Sequence, residues 1–194
     1  MDIDYIREKL KEKVSKKRYR HILGVEETAL ELAEEYGISK DKVRMAALLH
    51  DYAKEMDLED MKTICMEFFP IESDGYLEQK EILHGYVGAF LAEKEFGIID
   101  EDVLNAIKYH TTGRRGMGIL EKVIYISDST EPGRDYPGVE RIRDLAKKNL
   151  EESMTYEANK KIKYLMEIDA IIHLNTIDMR NWLLENDIRK EKKL

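Results

Sequence analysis

Apolar residues recur at three- and four-residue spacings along the whole chain, and the alternation that a half-buried strand requires is absent over any useful length. The three prolines, at positions 70, 132 and 137, all fall between such helical patterns. These two features confine the chain to an all-α bundle. Its 194 residues fit one domain, 1–194, with enough length to bury a substantial core.

The helices can be ordered from their stop and start signals. Ile6, Leu10 and Val14 mark a short first helix, and a second runs from about Lys17 to Tyr36 with Gly37 as its stop. Ser39 can cap a third helix ending at His50, Asp57 a fourth ending near Phe69-Pro70, and Ile71 to Gly75 reads as a loop. A helix through His84, Val87, Leu91 and Phe96 ends at Gly97, and Asp100 can cap the next, which carries Val103, Ile107 and His110. A glycine- and arginine-rich loop from Thr111 to Gly118 leads to the helix of Val123 and Asp128, then to a turn from Glu131 to Gly138 and a helix from Val139 to Ala146. One long final helix is expected from about Thr155 to Leu184, with Ile162, Leu165, Met166 and Ile172 apolar, followed by a frayed, solvated tail from Arg189 to Lys193.

The run Ala46-Ala47-Leu48-Leu49-His50-Asp51-Tyr52-Ala53-Lys54 carries the first chemical signal. Buried helical surface there delivers an imidazole and a carboxylate side by side at a helix end, where two adjacent side chains can converge on one metal ion. His21, His84 and His110 lie in or at the end of other helical patterns, and Asp128 closes the segment from Val123. Taken singly, each histidine is more economically a core residue with one hydrogen bond. Together they are more donors than one tetrahedral ion uses, which points to a pair of octahedral ions or to one such ion with spare ligands. Neutral imidazole mixed with carboxylate suits Fe, Mn, Co, Ni or Zn, whereas Mg and Ca prefer oxygen alone.

The order and contexts of these residues resemble the HD-domain metal-dependent phosphohydrolases, and within them the bacterial family that hydrolyses diadenosine tetraphosphate symmetrically to two ADP. The matching stretches are Arg18 to Val25, Ala46 to Lys54, Leu83 to Ala89, Tyr109 to Arg114, Leu120 to Asp128, Glu131-Pro132-Gly133-Arg134 and Tyr136 to Val139. The resemblance implies an HD-domain helical bundle in which His21, His50, Asp51 and Asp128 bind one ion. Asp51, His84 and His110 bind the second, with Asp51 bridging and a water or hydroxide between the ions as nucleophile. Iron stands first among the candidate metals. Asp51 and Lys54 are the expected catalytic residues, while Arg18, Lys54, Thr111, Thr112, Arg114 and Arg134 are expected to hold the polyphosphate; a guanidinium supplies a planar fork and an ammonium a point charge. Ser127, Thr130 and Tyr136 depart from the family pattern without removing a ligand. The competing readings are an HD-type nucleotidase or nucleoside triphosphate hydrolase, and a non-catalytic nucleotide-binding HD module, against which the complete ligand set argues.

Charge narrows the partners. Thirty-two Lys and Arg stand against 40 Asp and Glu, a net charge of −8, which disfavours broad binding to nucleic acid or an anionic membrane. An anionic substrate then needs local cations or metals. The N-terminus has no signal-peptide character and the single cysteine, Cys65, can form no internal disulfide, so a cytoplasmic protein is expected. Cys65, among apolar neighbours, reads as core packing, as do the Met56, Met61 and Met66 series, Tyr109 and Tyr125; His173, outside every matched stretch, reads as structural. The long final helix offers a packing surface for a homodimer.

Overall fold

The computed structural model describes residues 2–191, and among them ten helices and no strand. In chain order these are α1 (Ile3–Lys13), α2 (Lys16–Tyr36), α3 (Lys40–Leu49), α4 (Leu58–Phe68), α5 (Lys80–Phe96), α6 (Glu101–Tyr109), α7 (Ile119–Thr130), α8 (Val139–Ala146), α9 (Leu150–Glu167) and α10 (Leu174–Glu191). None is long and apolar enough to cross a membrane.

The expected caps form. Ser39 accepts from the Lys42 N–H, Asp57 from Glu59, and Asp100 from both Asp102 and Val103, each satisfying amides that the first helical turn leaves unpaired. Gly37 and Gly97 end α2 and α5 in the left-handed region, both at φ 64°. Helices α2, α3, α5, α6 and α7 form the centre: α2 packs on α3 and α7, α3 on α6, α5 on α6, and α6 on α7. Their buried apolar faces, including Ile22, Leu48, Leu49, Leu83, Ile107, Ile124 and Ile126, make a continuous core. The proposed ligands are carried by these same five helices or lie just beyond their ends, so the best-packed part of the chain positions them.

The long final helix does not form. The chain leaves α9 after Glu167 and re-enters a helix only at Leu174, turning through Asp169 at φ 51°. Asp169 is the one non-glycine with positive φ among the described residues, and aspartate tolerates that conformation better than most side chains. The buried face of α9, Leu150, Ser153, Met154, Glu157 and Ala158, stops there, and Ile162, Leu165 and Ile172 are only half-buried while Met166 is exposed. Two contacts anchor the return. His173 stacks on Tyr76 at 4.1 Å between ring centres, and Thr176 donates to the Thr112 carbonyl at 2.8 Å. Of the tail expected to fray, residues 192 and 193 lie outside the described residues.

Candidate metal centre

His50 and His110 are presented in the same way. Each is the residue at which its helix, α3 or α6, ends, and each turns Nδ1 back onto the carbonyl three residues earlier: Ala47 at 2.6 Å and Ile107 at 2.7 Å. A carbonyl only accepts, so Nδ1 carries a proton, and in the neutral ring that leaves the lone pair on Nε2. His21 projects from the second turn of α2, His84 from α5 and Asp128 from α7, while Asp51 follows His50 in the turn after α3.

These six side chains converge. Asp51 Oδ1 lies 3.1 Å from His84 Nε2 and 3.7 Å from His110 Nε2, while its Oδ2 lies 3.4 Å from His21 Nε2 and 3.5 Å from His50 Nε2. His21 Nε2 is also 3.1 Å from Asp128 Oδ1, and the Nε2 atoms of His84 and His110 face each other at 2.9 Å. Donor atoms able to share an ion fall into three overlapping groups: His21, His50 and Asp51; His50, His110 and Asp128; and Asp51, His84 and His110. Despite this crowding, buried His21 Nε2, His50 Nε2 and His84 Nδ1 have no hydrogen-bond partner. Buried polar nitrogens are rarely left so. His21 Nε2 and His50 Nε2 both face Asp51 Oδ2, at 3.4 and 3.5 Å, and a cation between them would satisfy both, whereas His84 presents its other nitrogen, Nε2, to the carboxylate.

The electrostatics agree. Burial pushes the Asp51 carboxyl up, but the imidazoles around it, His50 foremost, outweigh that and hold it well below the usual carboxylate range. Asp128 is likewise held down by His21 and His50 against its burial. Burial, with Lys54 close by, pulls His84 down to about 4, and burial lowers His110 too. His21 is the exception: burial lowers it, yet Asp128, Asp51 and Glu131 together raise it to about 9. At neutral pH the centre therefore offers two ionised carboxylates with neutral His84 and His110, the protonation states that metal binding requires.

Cations border the cluster. Arg18 Nη1 donates to Asp51 Oδ2 at 2.7 Å, and Arg134 donates to Asp128 through Nη2 to Oδ1 at 2.7 Å and Nε to the backbone carbonyl at 2.8 Å. Lys54 Nζ lies 3.4 Å from His84 Nε2 and pairs with Glu81 at 2.5 Å. Thr111 Oγ1 is 3.0 Å from His110 Nε2 and 3.4 Å from His84 Nε2. Thr112 and Arg114 are engaged elsewhere: the Thr112 hydroxyl donates to the Gly113 carbonyl, and the Arg114 guanidinium makes a two-pronged pair with buried Glu121 at 2.7 and 2.8 Å. Arg115 pairs with Asp178 and Glu185. Cys65 is buried, and burial pushes its thiol up to about 11, so it is no nucleophile.

Two contributors are missed by sequence reasoning. Glu131 stands in a stretch singled out for its arginine, and its carboxylate reaches His21 Nδ1. Lys161 on α9 places Nζ 3.3 Å from the Thr111 carbonyl and 2.9 Å from the Tyr125 hydroxyl, which donates to buried Glu157. No local spacing joins Lys161 to Thr111, 50 residues earlier.

The HD domain family model matches residues 18–133, the segment that holds all six converging residues. The chain belongs to the HD domain family. Over most of its length it is similar to proteins named symmetrical bis(5'-nucleosyl)-tetraphosphatase. That of Staphylococcus aureus (strain NCTC 8325 / PS 47) is 43% identical over 192 residues, 97% of this chain and 98% of its own. That of Bacillus subtilis (strain 168) is 40% identical over 176 residues, 90% of this chain and 94% of its own. A crystal structure described as a predicted HD superfamily hydrolase involved in NAD metabolism, from Clostridium acetobutylicum, is 40% identical with a TM-score of 0.89, covering 96% of this chain and 98% of that one.

Proposed function

We propose that this chain is a metal-dependent hydrolase that splits diadenosine tetraphosphate symmetrically into two ADP. The observation that carries the reading is the convergence of four imidazoles and two carboxylates, with buried His21 Nε2 and His50 Nε2 left without a hydrogen-bond partner beside Asp51. The relatives named symmetrical bis(5'-nucleosyl)-tetraphosphatase supply the substrate and the cleavage position.

His21, His50, Asp51 and Asp128 would hold one divalent ion, and Asp51, His84 and His110 a second, with Fe first among Fe, Mn, Co, Ni and Zn. Bound ions supply Lewis acidity toward phosphoryl oxygens and lower the pKa of water enough for attack at neutral pH. The chain's own residues do the rest. Arg18 and Arg134, already directed at the cluster, bind the anionic phosphates, and Thr111 offers a hydroxyl at the same rim. Lys54, beside His84, offsets charge on the departing ADP. The central P–O–P bond breaks, the water oxygen ends on one ADP and the bridging oxygen leaves with the other.

The same reading takes residues 1–194 as one domain in the cytoplasm, with no nucleic-acid or membrane partner. The lone cysteine and the net charge of −8 support it. Purified protein reconstituted with Fe(II) or Mn(II) and given diadenosine tetraphosphate is expected to yield ADP alone, resolved by ion exchange. ATP with AMP would overturn the symmetrical cleavage, and tight nucleotide binding without turnover would favour a non-catalytic module.

A further inference from the structure

The four histidines differ in what stands behind them. Nδ1 of His50 and of His110 meets a backbone carbonyl, and Nδ1 of His84 meets nothing. His21 Nδ1 alone meets a carboxylate, Glu131 Oε1, at 3.1 Å. A carboxylate behind an imidazole holds the proton on the near nitrogen, fixes the ring and makes the far nitrogen a stronger donor.

The surroundings of Glu131 are built to keep it there. It is buried at the end of α7 and belongs to none of the three donor groups of the centre. The Gly133 N–H donates to its Oε2 at 2.5 Å. Gly24, one turn after His21 on α2, faces the same oxygen, and a Cβ there would lie 2.7 Å from it; a Cβ at Gly133 would lie 3.0 Å from both oxygens. Space that two side chains would occupy is thus left to one carboxylate. Arg143 on α8 then ties down the turn itself, donating to the carbonyls of Thr130, Glu131 and Arg134 at 2.9 Å each. Arg143 lies beyond the segment that the HD model matches, so the C-terminal helices reach the centre through this turn.

We propose that Glu131 is a positioning residue that locks His21 with Nε2 toward the metal centre, with Arg143 as its latch, and so sets the affinity of the His21 half independently of the His84 half. The proposal rests on the reading of His21 as a metal ligand. Other buried carboxylates of the chain do different work; Glu121 and Glu157 bond Arg114 and Tyr125 and reach no imidazole.

The test is a calorimetric titration of metal-free wild type and Glu131→Gln with Mn(II). Binding at the His21 half is expected to weaken about 10–100-fold, with the remaining binding unchanged. Superimposable isotherms would overturn the role of Glu131 while leaving the metal centre standing. Failure of the wild type to bind Mn(II) would overturn the metal centre itself, and Glu131 with it. Should Glu131→Gln not fold, Arg143→Gln loosens the turn without touching His21 and is expected to weaken the same half by a smaller factor; unchanged affinity overturns the proposal. In Zn(II)-loaded wild type with 15N-labelled histidine, His21 is expected to carry its proton on Nδ1. A proton on Nε2 would overturn it.

Discussion

His21 and His84 face opposite oxygens of one carboxylate: His21 Nε2 is 3.4 Å from Asp51 Oδ2, and His84 Nε2 is 3.1 Å from Asp51 Oδ1. Side chains from helices α2 and α5 thus meet at a single buried carboxylate, which puts Asp51 between the two sets of imidazoles.

Asp51→Asn keeps the shape of the side chain and removes its charge. Turnover is expected to fall by roughly 10³-fold or more, with both halves of the centre losing affinity together. Elemental analysis after gel filtration, alongside steady-state kinetics in metal-replete buffer, checks this. Full activity with full metal content would rule out the shared carboxylate.

Much of the fold was legible because its punctuation is local. Ser39, Asp57 and Asp100 cap within three residues of the amides they serve, and Gly37 and Gly97 end helices with their own backbone. The break between α9 and α10 has no such mark. From Leu165 to Asn175 there is neither glycine nor proline, and apolar residues continue at helical spacing through a turn that Asp169 makes. What fixes it is distant: His173 against Tyr76, and Thr176 against Thr112. At the site, His50-Asp51 and the matched histidine contexts could be read from sequence, and the structure brings those side chains together. The partners of Arg114 and of Glu131 could not, since a guanidinium beside glycines in a loop reads as a phosphate ligand until Glu121 is seen beneath it.

Arg134 lies on a carboxylate that is proposed to bind metal, which fixes the sign of its removal. A guanidinium 2.7 Å from Asp128 Oδ1 repels an incoming cation and attracts a phosphate. Arg134→Ala is therefore expected to raise KM for the dinucleotide about 10-fold, on the scale of one charge-assisted hydrogen bond, while metal affinity stays level or tightens. Parallel kinetics and Mn(II) titration separate the two, and metal affinity falling in step with KM would assign Arg134 to the metal centre instead.

The metal-free protein should be most stable near pH 6.5. His84 falls from its ordinary 6.5 to about 4 in the fold, so between those values the unfolded chain binds the extra proton and stability drops as the solution is acidified. Asp51 and Asp128, held well below the usual carboxylate range, add to that acid limb. His21 is raised from 6.5 to about 9, so its contribution is full below 6.5 and is lost as pH climbs through 9. Each histidine is worth roughly 3 kcal/mol across its window. Thermal unfolding in chelator from pH 4 to 10 should trace a maximum, and metal should flatten the alkaline side because a ligated nitrogen has no proton to lose. A stability that rises steadily to pH 10 in chelator would contradict the assignment of His21.

Gly85 controls how closely α5 approaches α6. A Cβ at that position would sit 2.6 Å from the Lys108 carbonyl oxygen, a backbone atom that cannot turn aside. The two helices meet where His84 and His110 bring their Nε2 atoms to 2.9 Å, so any separation opens the His84 half directly. Gly85→Ala is expected to cost about 1–3 kcal/mol, the usual range for forcing extra volume into a packed contact, and to weaken metal binding at that half. Gly88 supplies the control. Its Cβ would meet the Ile107 Cγ2 methyl at 3.3 Å, with the nearest backbone atom, the His50 carbonyl oxygen, at 3.5 Å, so Gly88→Ala asks only a few tenths of an ångström of movement, and of a side chain rather than of backbone. Thermal unfolding and Mn(II) titration of both variants should show a large loss for Gly85→Ala and a small one for Gly88→Ala. Equal losses would mean that helix propensity or general crowding, not the Lys108 carbonyl, sets the spacing of the two histidines.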